Sequence, residues 1–152
     1  AFIDGEGRLA SCGSETDDSQ GPLGHGEGVT RLNTPTRLPS ALGDERAVSV
    51  SAGWAHSLAL SADGAVWSWG AGSHGKLGHD NYPQDQLLPK KVEALAGQRV
   101  VAVSAGARHS LALTADGAVF TWGEGETGCL GHGEDQTNQL LPKKVEKWAP
   151  GL

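Results

Sequence analysis

Ser57, His56 and Asp63 are the residue types from which hydrolases build a nucleophile, a general base and an orienting acid. The same three types recur 53 positions later, at Ser110, His109 and Asp116. Successive residues of a strand point to opposite faces of a sheet, so His56 and Ser57 cannot pair if this segment is a strand. A constellation that returns at a fixed spacing also indicates a structural role. The sequence therefore predicts no catalytic residue.

A glycine-rich pattern, G-x-G-x-x-G, spans residues 70–75 and again residues 123–128. In dinucleotide-binding folds this pattern opens a helix whose N-terminal amides hold a pyrophosphate. Here Lys76-Leu77-Gly78-His79 and a polar stretch follow, without the apolar spacing of a helix. The pattern predicts turns that need glycine, and no nucleotide cofactor.

Six histidines raise the question of a metal centre. Most of them fall into two sets of equivalent positions: His56 with His109, and His25 with His79 and His132. Equivalent positions of separate structural units lie too far apart to share an ion at bond lengths of roughly 2 Å. We therefore expect hydrogen-bonded structural imidazoles and no metal. His74 has no equivalent histidine and is expected in a surface loop.

The elements that position these residues belong to a repeated unit. Residues 48–93 and 101–146 agree at 30 of 46 positions when they are aligned without a gap. A weaker copy precedes them, in which Leu23-Gly24-His25 parallels Leu77-Gly78-His79. A fixed period near fifty residues indicates supersecondary units stacked side by side. The chain divides into a partial first repeat (1–47), a second repeat (48–100) and a third repeat truncated at its end (101–152), together one incomplete propeller domain.

The unit is expected to consist of strands. Apolar residues alternate with period two across residues 48–52, and short apolar strands end at Asp63-Gly64 and Asp116-Gly117, a pair that favours hairpins. Pro89 and Pro142 cannot donate to a ladder, so the last strand of each unit should lie at an edge. Radial stacking of such small sheets gives a β-propeller. The predicted fold is all-β: a partial β-propeller of four-stranded antiparallel blades, with two nearly complete repeats and part of a third.

Residues that recur in both full repeats are expected to hold the blades together. Trp69 and Trp122 are the expected core aromatics, and the glycines are expected at turns and close approaches. The predicted structural positions are Gly53, His56, Asp63, Gly64, Trp69 and Gly70, with their equivalents Gly106, His109, Asp116, Gly117, Trp122 and Gly123.

Composition excludes several classes of function. A formal net charge of −6 argues against direct binding to nucleic acid, which needs a basic surface. No stretch approaches the 18 or more apolar residues of a membrane span, so no membrane insertion is expected. Cys12 and Cys129 are not equivalent positions, which predicts free thiols and an intracellular protein without indicating the compartment. The chain contains no methionine, which suggests a piece of a longer protein.

The complete repeat pattern resembles a known family. Residues 53–60, Asp63-Gly64, residues 67–70 and residues 75–79 resemble, in that order, the repeat of the regulator of chromosome condensation family, and the third repeat carries the pattern again. The resemblance implies a seven-bladed propeller of four-stranded blades. It implies no single function, because similar proteins include the exchange factor for the GTPase Ran, HECT-type ubiquitin ligases, an ultraviolet-B photoreceptor and scaffolds.

Function is expected where the two full repeats differ. They diverge at Trp54-Ala55 against Ala107-Arg108, and over residues 80–85 against 133–138. Loops on a rigid scaffold commonly carry recognition. The candidate partner-binding residues are Trp54, Arg108, Tyr82, Asp85, Glu134 and Asp135.

The sequence favours a non-catalytic scaffold that binds a protein partner and belongs to a larger chain or assembly, and two alternative functions stay open. One alternative is guanine-nucleotide exchange on a small GTPase, and the other is substrate recruitment for a ubiquitin ligase. Fewer than three blades cannot close a propeller. We therefore expect further blades to come from the parent chain, from self-association or from a larger assembly.

Overall fold

Three antiparallel β-sheets follow one another along the chain in the computed structural model, which describes residues 1–15, 22–39, 42–146 and 148. The first sheet has three strands in the order β1-β2-β3, and each of the other two has four strands in sequence order. The strands of the first sheet are β1 (Phe2–Ile3), β2 (Leu9–Ser14) and β3 (Arg31–Arg37). This arrangement confirms the predicted all-β fold of a partial propeller.

The two full repeats form the four-stranded sheets, called blades 2 and 3 here. Blade 2 contains β4 (Ala47–Ala52), β5 (His56–Ser61), β6 (Val66–Gly70) and β7 (Gln86–Lys91). Blade 3 contains β8 (Val100–Ala105), β9 (His109–Thr114), β10 (Val119–Gly123) and β11 (Gln139–Lys144). Short 3₁₀ helices cover Ser73–Gly75 and Glu93–Leu95. Strands β7 and β11, which contain the prolines, lie at sheet edges as predicted.

The Asp-Gly pairs form the predicted hairpins. Gly64 and Gly117 sit in the turns after β5 and β9 with φ of 87° and 88°, a left-handed conformation that glycine adopts without steric cost. Ser61 and Thr114, which precede the turns, donate their hydroxyl groups to the carboxylates of Asp63 and Asp116. The aspartates therefore fix the turns.

Two apolar layers hold the three sheets together. The layer between blades 2 and 3 contains Leu58, Leu60 and Trp122, and the layer between the first sheet and blade 2 contains Leu9 and Trp69. Each tryptophan packs against a glycine of the preceding sheet. A Cβ atom on Gly24 would lie 2.8 Å from the Trp69 indole nitrogen, and one on Gly78 would lie 2.9 Å from that of Trp122.

The side of blade 3 that faces away from blade 2 carries the same residue types as a side of blade 2 that is buried against blade 3. Along β5, His56, Leu58 and Leu60 face blade 3, and the two leucines are 0% and 3% exposed. Their equivalents on β9 are His109, Leu111 and Leu113, and Leu113 is 39% exposed. We call the side of blade 3 formed by these three residues the open face.

Among the described residues, no helix is both long and apolar enough to cross a membrane.

Candidate protein-binding face

Antiparallel order brings four loops to one end of blades 2 and 3. The first strand of each blade ends where the second begins, and the third ends where the fourth begins, so the two connections share an end. The hairpin turns and the link between the blades lie at the other end. We call these four loops, residues 53–55, 71–85, 106–108 and 124–138, the loop face. The middle of each long loop folds back along the outer strand, so that Asp80 lies beside Lys90 and Lys91. Glu134 likewise lies beside Lys143 and Lys144. All six predicted partner-binding residues fall in these loops.

Trp54 projects from one of the two three-residue loops. Its side chain is 80% exposed, whereas Trp69 and Trp122 are fully buried. The Gly53 amide donates to the His56 carbonyl at 2.8 Å, which closes the loop. A Cβ atom on Gly53 would lie 2.2 Å from the Gly106 carbonyl oxygen, so the corresponding loop of blade 3 lies directly alongside. Trp54 is thus an exposed indole on a short, closely packed loop.

Arg108 lies on that adjacent loop and joins a charged cluster. Its guanidinium is 3.1 Å from the Glu124 carboxylate, and the Nε2 atom of His74 is 4.0 Å from the same oxygen. The cluster therefore links the long loop of blade 2 to both loops of blade 3. His74 adopts the left-handed conformation with φ of 62°, and its side chain is 34% exposed. It lies half-buried between the blades, less accessible than the surface position expected for it.

Lys76 lies beneath this cluster and is only 2% exposed. Its ammonium group donates to the Ser73 hydroxyl at 2.6 Å and to the Ser73 carbonyl at 3.3 Å. Burial lowers its pKa, while the nearby Asp85 and Glu124 carboxylates act in the opposite direction. This cation is therefore not presented to a partner.

The remaining candidates divide into exposed side chains and loop-forming carboxylates. Tyr82 is 45% exposed, and Glu134 is exposed as well. Asp85 accepts a 2.7 Å hydrogen bond from the Gly72 amide, and Asn138 accepts the equivalent bond from Gly125. The sixth candidate, Asp135, binds the Lys143 ammonium at 2.6 Å. Asp85 and Asp135 therefore shape their loops, and Tyr82 and Glu134 project from them.

In every sheet, a hydroxyl residue on the strand that precedes the long loop contacts a histidine of that loop. Ser68 donates its hydroxyl to the Leu77 carbonyl at 2.7 Å, and the His79 imidazole lies 2.8 Å from the same oxygen. The same contacts join Ser11, Leu23 and His25 in the first sheet and Thr121, Leu130 and His132 in blade 3. Because the hydroxyl donates to a carbonyl, the imidazole must donate to the hydroxyl. The histidine thus anchors the middle of each long loop to the strand that precedes it.

His56 forms a related contact across the boundary between blades. Its Nε2 atom lies 2.9 Å from the Ser110 hydroxyl, which itself donates to the Lys76 carbonyl at 2.8 Å. All three groups are buried, and Ser110 is completely inaccessible. This contact, called the interblade bond here, joins blade 2 to blade 3. His109, the equivalent histidine, lies on the open face.

Burial keeps the imidazoles of His56 and His79 neutral at physiological pH, because it lowers the pKa of both. Desolvation is the main cause that lowers the pKa of His56 to about 3 and that of His79 to about 4. The positive charge of Lys76 adds to the effect at His56, and that of Lys90 adds to it at His79. A neutral imidazole with one N–H matches the single hydroxyl acceptor that each of them faces.

The serine, histidine and aspartate of the apparent hydrolase pattern are dispersed. His56 faces Ser110 of the next blade instead of Ser57, and Asp63 lies in a hairpin turn at the opposite end from the loop face. Within the part of the chain that the structure describes, no three histidine, cysteine or acidic side chains converge in a way that could hold a metal ion.

Sequence reasoning did not include Glu124, His74 and Lys76 in the site. Each of them differs from its equivalent in the other repeat, namely Ala71, Thr127 and Cys129. The divergence that singled out Trp54 and Arg108 could therefore have found them too. They were missed because they lie in glycine-rich stretches that were interpreted only as turns.

The fold and its loops define a class: a β-propeller segment of sequence-repeated blades whose connecting loops gather at one end. A profile of the regulator of chromosome condensation (RCC1) repeat matches residues 6–60, 63–113 and 116–149, and a second profile of this repeat matches 47–76 and 100–129. The chain belongs to the RCC1 repeat family.

Curated relatives include ubiquitin ligases and a photoreceptor. The chain is 42% identical over 143 residues to the mouse E3 ubiquitin-protein ligase HERC2, covering 93% of this chain and 3% of that protein. It is 41% identical over 125 residues to the Arabidopsis thaliana ultraviolet-B receptor UVR8, covering 82% of this chain and 28% of the receptor. The chain thus spans less than a third of the length of either relative.

Solved structures show the same architecture. The crystal structure of human WBSCR16 superimposes with a TM-score of 0.81 at 26% identity, over 94% of this chain and 34% of that one. Yeast RCC1 (Prp20), crystallised with Kap60 bound, gives the same TM-score and identity over 95% of this chain and 34% of its own.

Proposed function

We propose that this chain is a non-catalytic scaffold whose loop face binds a protein partner. The observation that carries the proposal is Trp54, an indole exposed over 80% of its surface on a short, closely packed loop. The repeat itself does not require this residue, since Ala107 occupies the equivalent position. Tryptophan and tyrosine are enriched in interface hot spots, and Tyr82 projects from the same face.

The buried chemistry supports a binding role over catalysis. A nucleophile must be accessible to its substrate, but Ser68 and Ser110, which contact the imidazoles of His79 and His56, are inaccessible and donate their protons to carbonyls. The histidines that could act as bases are likewise engaged in holding loops and blades together. The two free cysteines support an intracellular setting.

Two more specific roles follow from the relatives. Identities of 37% to 42% to several HERC ubiquitin ligases favour a propeller that recruits substrates for a catalytic domain. Similarity to yeast RCC1 (Prp20), which has been crystallised with Kap60 and binds Gsp1p and histones, supports the alternative of nucleotide exchange on a small GTPase. Both roles are specific forms of protein binding by propeller loops.

Affinity purification of the full parent protein tests the proposal. A Trp54→Ala/Tyr82→Ala variant is compared with a Trp148→Ala control, which removes another exposed indole outside the loop face. We expect the double variant to lose partners that the control retains, as quantified by mass spectrometry. Identical partner sets for wild type, double variant and control would contradict binding by the loop face.

A fluorescent GDP release assay separates the two specific roles. The purified chain is incubated with a panel of small GTPases loaded with a fluorescent GDP analogue. Accelerated release that is lost on changing Arg108 to Ala would favour exchange activity. No acceleration with any GTPase leaves substrate recruitment as the more specific form of the proposal.

A further inference from the structure

The last strand of the first sheet carries a hydroxyl group where the other two blades carry leucine. Thr34 of β3 is equivalent to Leu88 of β7 and Leu141 of β11, and each of the three is followed by proline. Thr34-Pro35 is the only serine or threonine followed by proline in the 152-residue sequence, and Arg37 lies three positions after Thr34. The segment thus combines an alcohol, a residue without an amide hydrogen and a cation at a defined spacing.

The backbone around Thr34 is extended and accessible. β3 is an edge strand of its sheet, and residues 33–37 are all exposed. The pairing with β2 shifts register between Leu32 and Thr36, so that residues 33–35 have no paired residue in that strand. A residue that precedes proline is also restricted to extended conformations. Thr34 is therefore presented much as it would be in an extended peptide.

A preceding sheet does not cover this position in the other blades. The first sheet lies next to Leu88, since a Cβ atom on Gly26 would be 3.8 Å from the Leu88 side chain. Leu88 is nevertheless 42% exposed, and Leu141, which follows blade 2, is 45% exposed. Thr34 at the equivalent place would therefore remain accessible beside a preceding blade of a parent chain.

We infer that Thr34 is a phosphorylation site for a proline-directed serine/threonine kinase. In the transfer, the Thr34 hydroxyl gives its proton to the catalytic aspartate of the kinase and its oxygen bonds to the γ-phosphorus of ATP, while the bond to the β-phosphate oxygen breaks and ADP leaves. Pro35 suits a kinase subsite that offers no acceptor to an amide, because proline has no N–H to leave unsatisfied. Arg37 can pair with an acidic or phosphorylated group of the kinase.

The modification changes the charge of the outer edge of the first sheet. A phosphothreonine carries a charge of about −2 at neutral pH. The only charged residues of β3 are Arg31 and Arg37, so the phosphate offsets the positive charge of the strand. It also puts a dianion where the other blades have an apolar side chain. Because β3 is outside the loop face, the inference is independent of the proposed protein-binding function.

In vitro phosphorylation tests the inference. The folded chain is incubated with ATP, Mg²⁺ and a cyclin-dependent kinase, a proline-directed class of kinase, and the phosphate is located by mass spectrometry. We expect one phosphate at Thr34 and its loss in Thr34→Ala. Thr30→Ala is the matched control, since Thr30 is exposed but is followed by arginine, and it should be phosphorylated as the wild type is. Pro35→Ala keeps the hydroxyl group and should lower the rate about tenfold or more, because an amide is buried without an acceptor.

A synthetic peptide of residues 30–38 separates recognition of the sequence from its presentation by the fold. We expect the kinase to phosphorylate both the peptide and the folded chain. Phosphorylation of the peptide alone would overturn the inference, because it would show that β3 is not accessible to a kinase. Failure with both substrates, or equal incorporation of phosphate into wild type and Thr34→Ala, would overturn it as well.

Discussion

At the scale of single residues, one arrangement of hydrogen bonds recurs: a hydroxyl group donates to a backbone carbonyl and accepts from an imidazole. It anchors the long loops through Ser68 and Thr121, and it joins blades 2 and 3 through Ser110. Because all members of the interblade bond are buried, removing one leaves its neighbours without a partner in a place where water cannot replace it. Such groups hold the register of the blades.

Changing Ser110 to Ala should destabilise the chain by about 1–3 kcal/mol, the cost of leaving buried polar groups unsatisfied. Ser104→Ala is the matched control, since Ser104 is exposed on the same blade. Urea unfolding followed by fluorescence gives the free energy of unfolding of both variants. An equal, small effect of the two changes would show that the interblade bond does not stabilise the fold.

Protonation should destabilise the fold between neutral and mildly acidic pH. The pKa values of His56 and His79 are lowered to about 3 and about 4, below the ordinary value near 6.5 that applies in the unfolded chain. Below pH 6.5 the unfolded state therefore binds more protons than the folded state, and stability falls as pH falls. Each histidine should cost about 2 kcal/mol between pH 7 and pH 5.

Urea unfolding at pH 7 and pH 5 tests this linkage. The variants His56→Gln and His79→Gln remove one titrating group each and should show a smaller loss of stability between the two pH values. A wild-type chain that is equally stable at both would contradict the buried neutral imidazoles.

The structural role of the histidines was predictable from the sequence, but their hydrogen-bond partners were not. Repetition at equivalent positions indicated that the histidines are structural. The sequence neighbour of His56 is Ser57, whereas its actual partner is Ser110, because the contact depends on how one blade sits against the next. The same limitation applies to His74 and Glu124, which meet only across the blade boundary.

At the scale of elements, glycines are required for two different physical reasons. Gly117 needs its left-handed backbone, but a Cβ there would meet nothing within 4 Å. At Gly53 a Cβ would collide with the Gly106 carbonyl at 2.2 Å, and this carbonyl belongs to the adjacent blade. One glycine serves a turn, and the other allows two blades to approach.

Replacing these glycines with alanine should separate the two effects. We expect Gly117→Ala to cost about 1 kcal/mol from backbone strain. Gly53→Ala should cost about 3 kcal/mol, at the upper end for overpacking, because a carbonyl of the neighbouring blade must move. Thermal unfolding of the two variants ranks them. Equal costs, or the reverse order, would show that the blades do not meet at Gly53.

Strands and hairpins were predictable because their signals are local. Alternating apolar residues, Asp-Gly pairs and the edge prolines Pro89 and Pro142 indicated four antiparallel strands with the last at an edge, and both full blades have this arrangement. The long loops were less predictable, because their shape depends on side chains that return to the loop's own backbone. Asp85 and Asn138, which accept amide hydrogen bonds from Gly72 and Gly125, look like ordinary loop residues in the sequence.

At the scale of the whole molecule, the open face presents apolar side chains that the repeat normally buries. Leu60 is 3% exposed between blades, whereas its equivalent Leu113 is 39% exposed. Leu58 is 0% exposed between blades, whereas its equivalent Leu111 is partly exposed. The open face carries the same residues that blade 2 buries against blade 3. It is therefore suited to pack against a further blade, supplied by a parent chain or by another molecule.

The isolated 152-residue chain should therefore self-associate. We expect sedimentation velocity to show concentration-dependent oligomers, and Leu113→Lys to shift them toward monomer, since a charge cannot be buried unpaired. Leu140→Lys, at an exposed position of the outer strand, is the control. A monodisperse wild-type monomer at all concentrations would contradict this expectation.

The central functional claim is that partners contact the loop face, and hydroxyl-radical footprinting of the tryptophans tests it most directly. The protein is oxidised alone and in its native assemblies, and modification of Trp54 and Trp148 is compared by mass spectrometry. Both indoles are well exposed in the free chain, at 80% and 70%. We predict that Trp54 becomes protected in the assemblies while Trp148 remains reactive. Protection of Trp148 with Trp54 still fully oxidised would contradict the account.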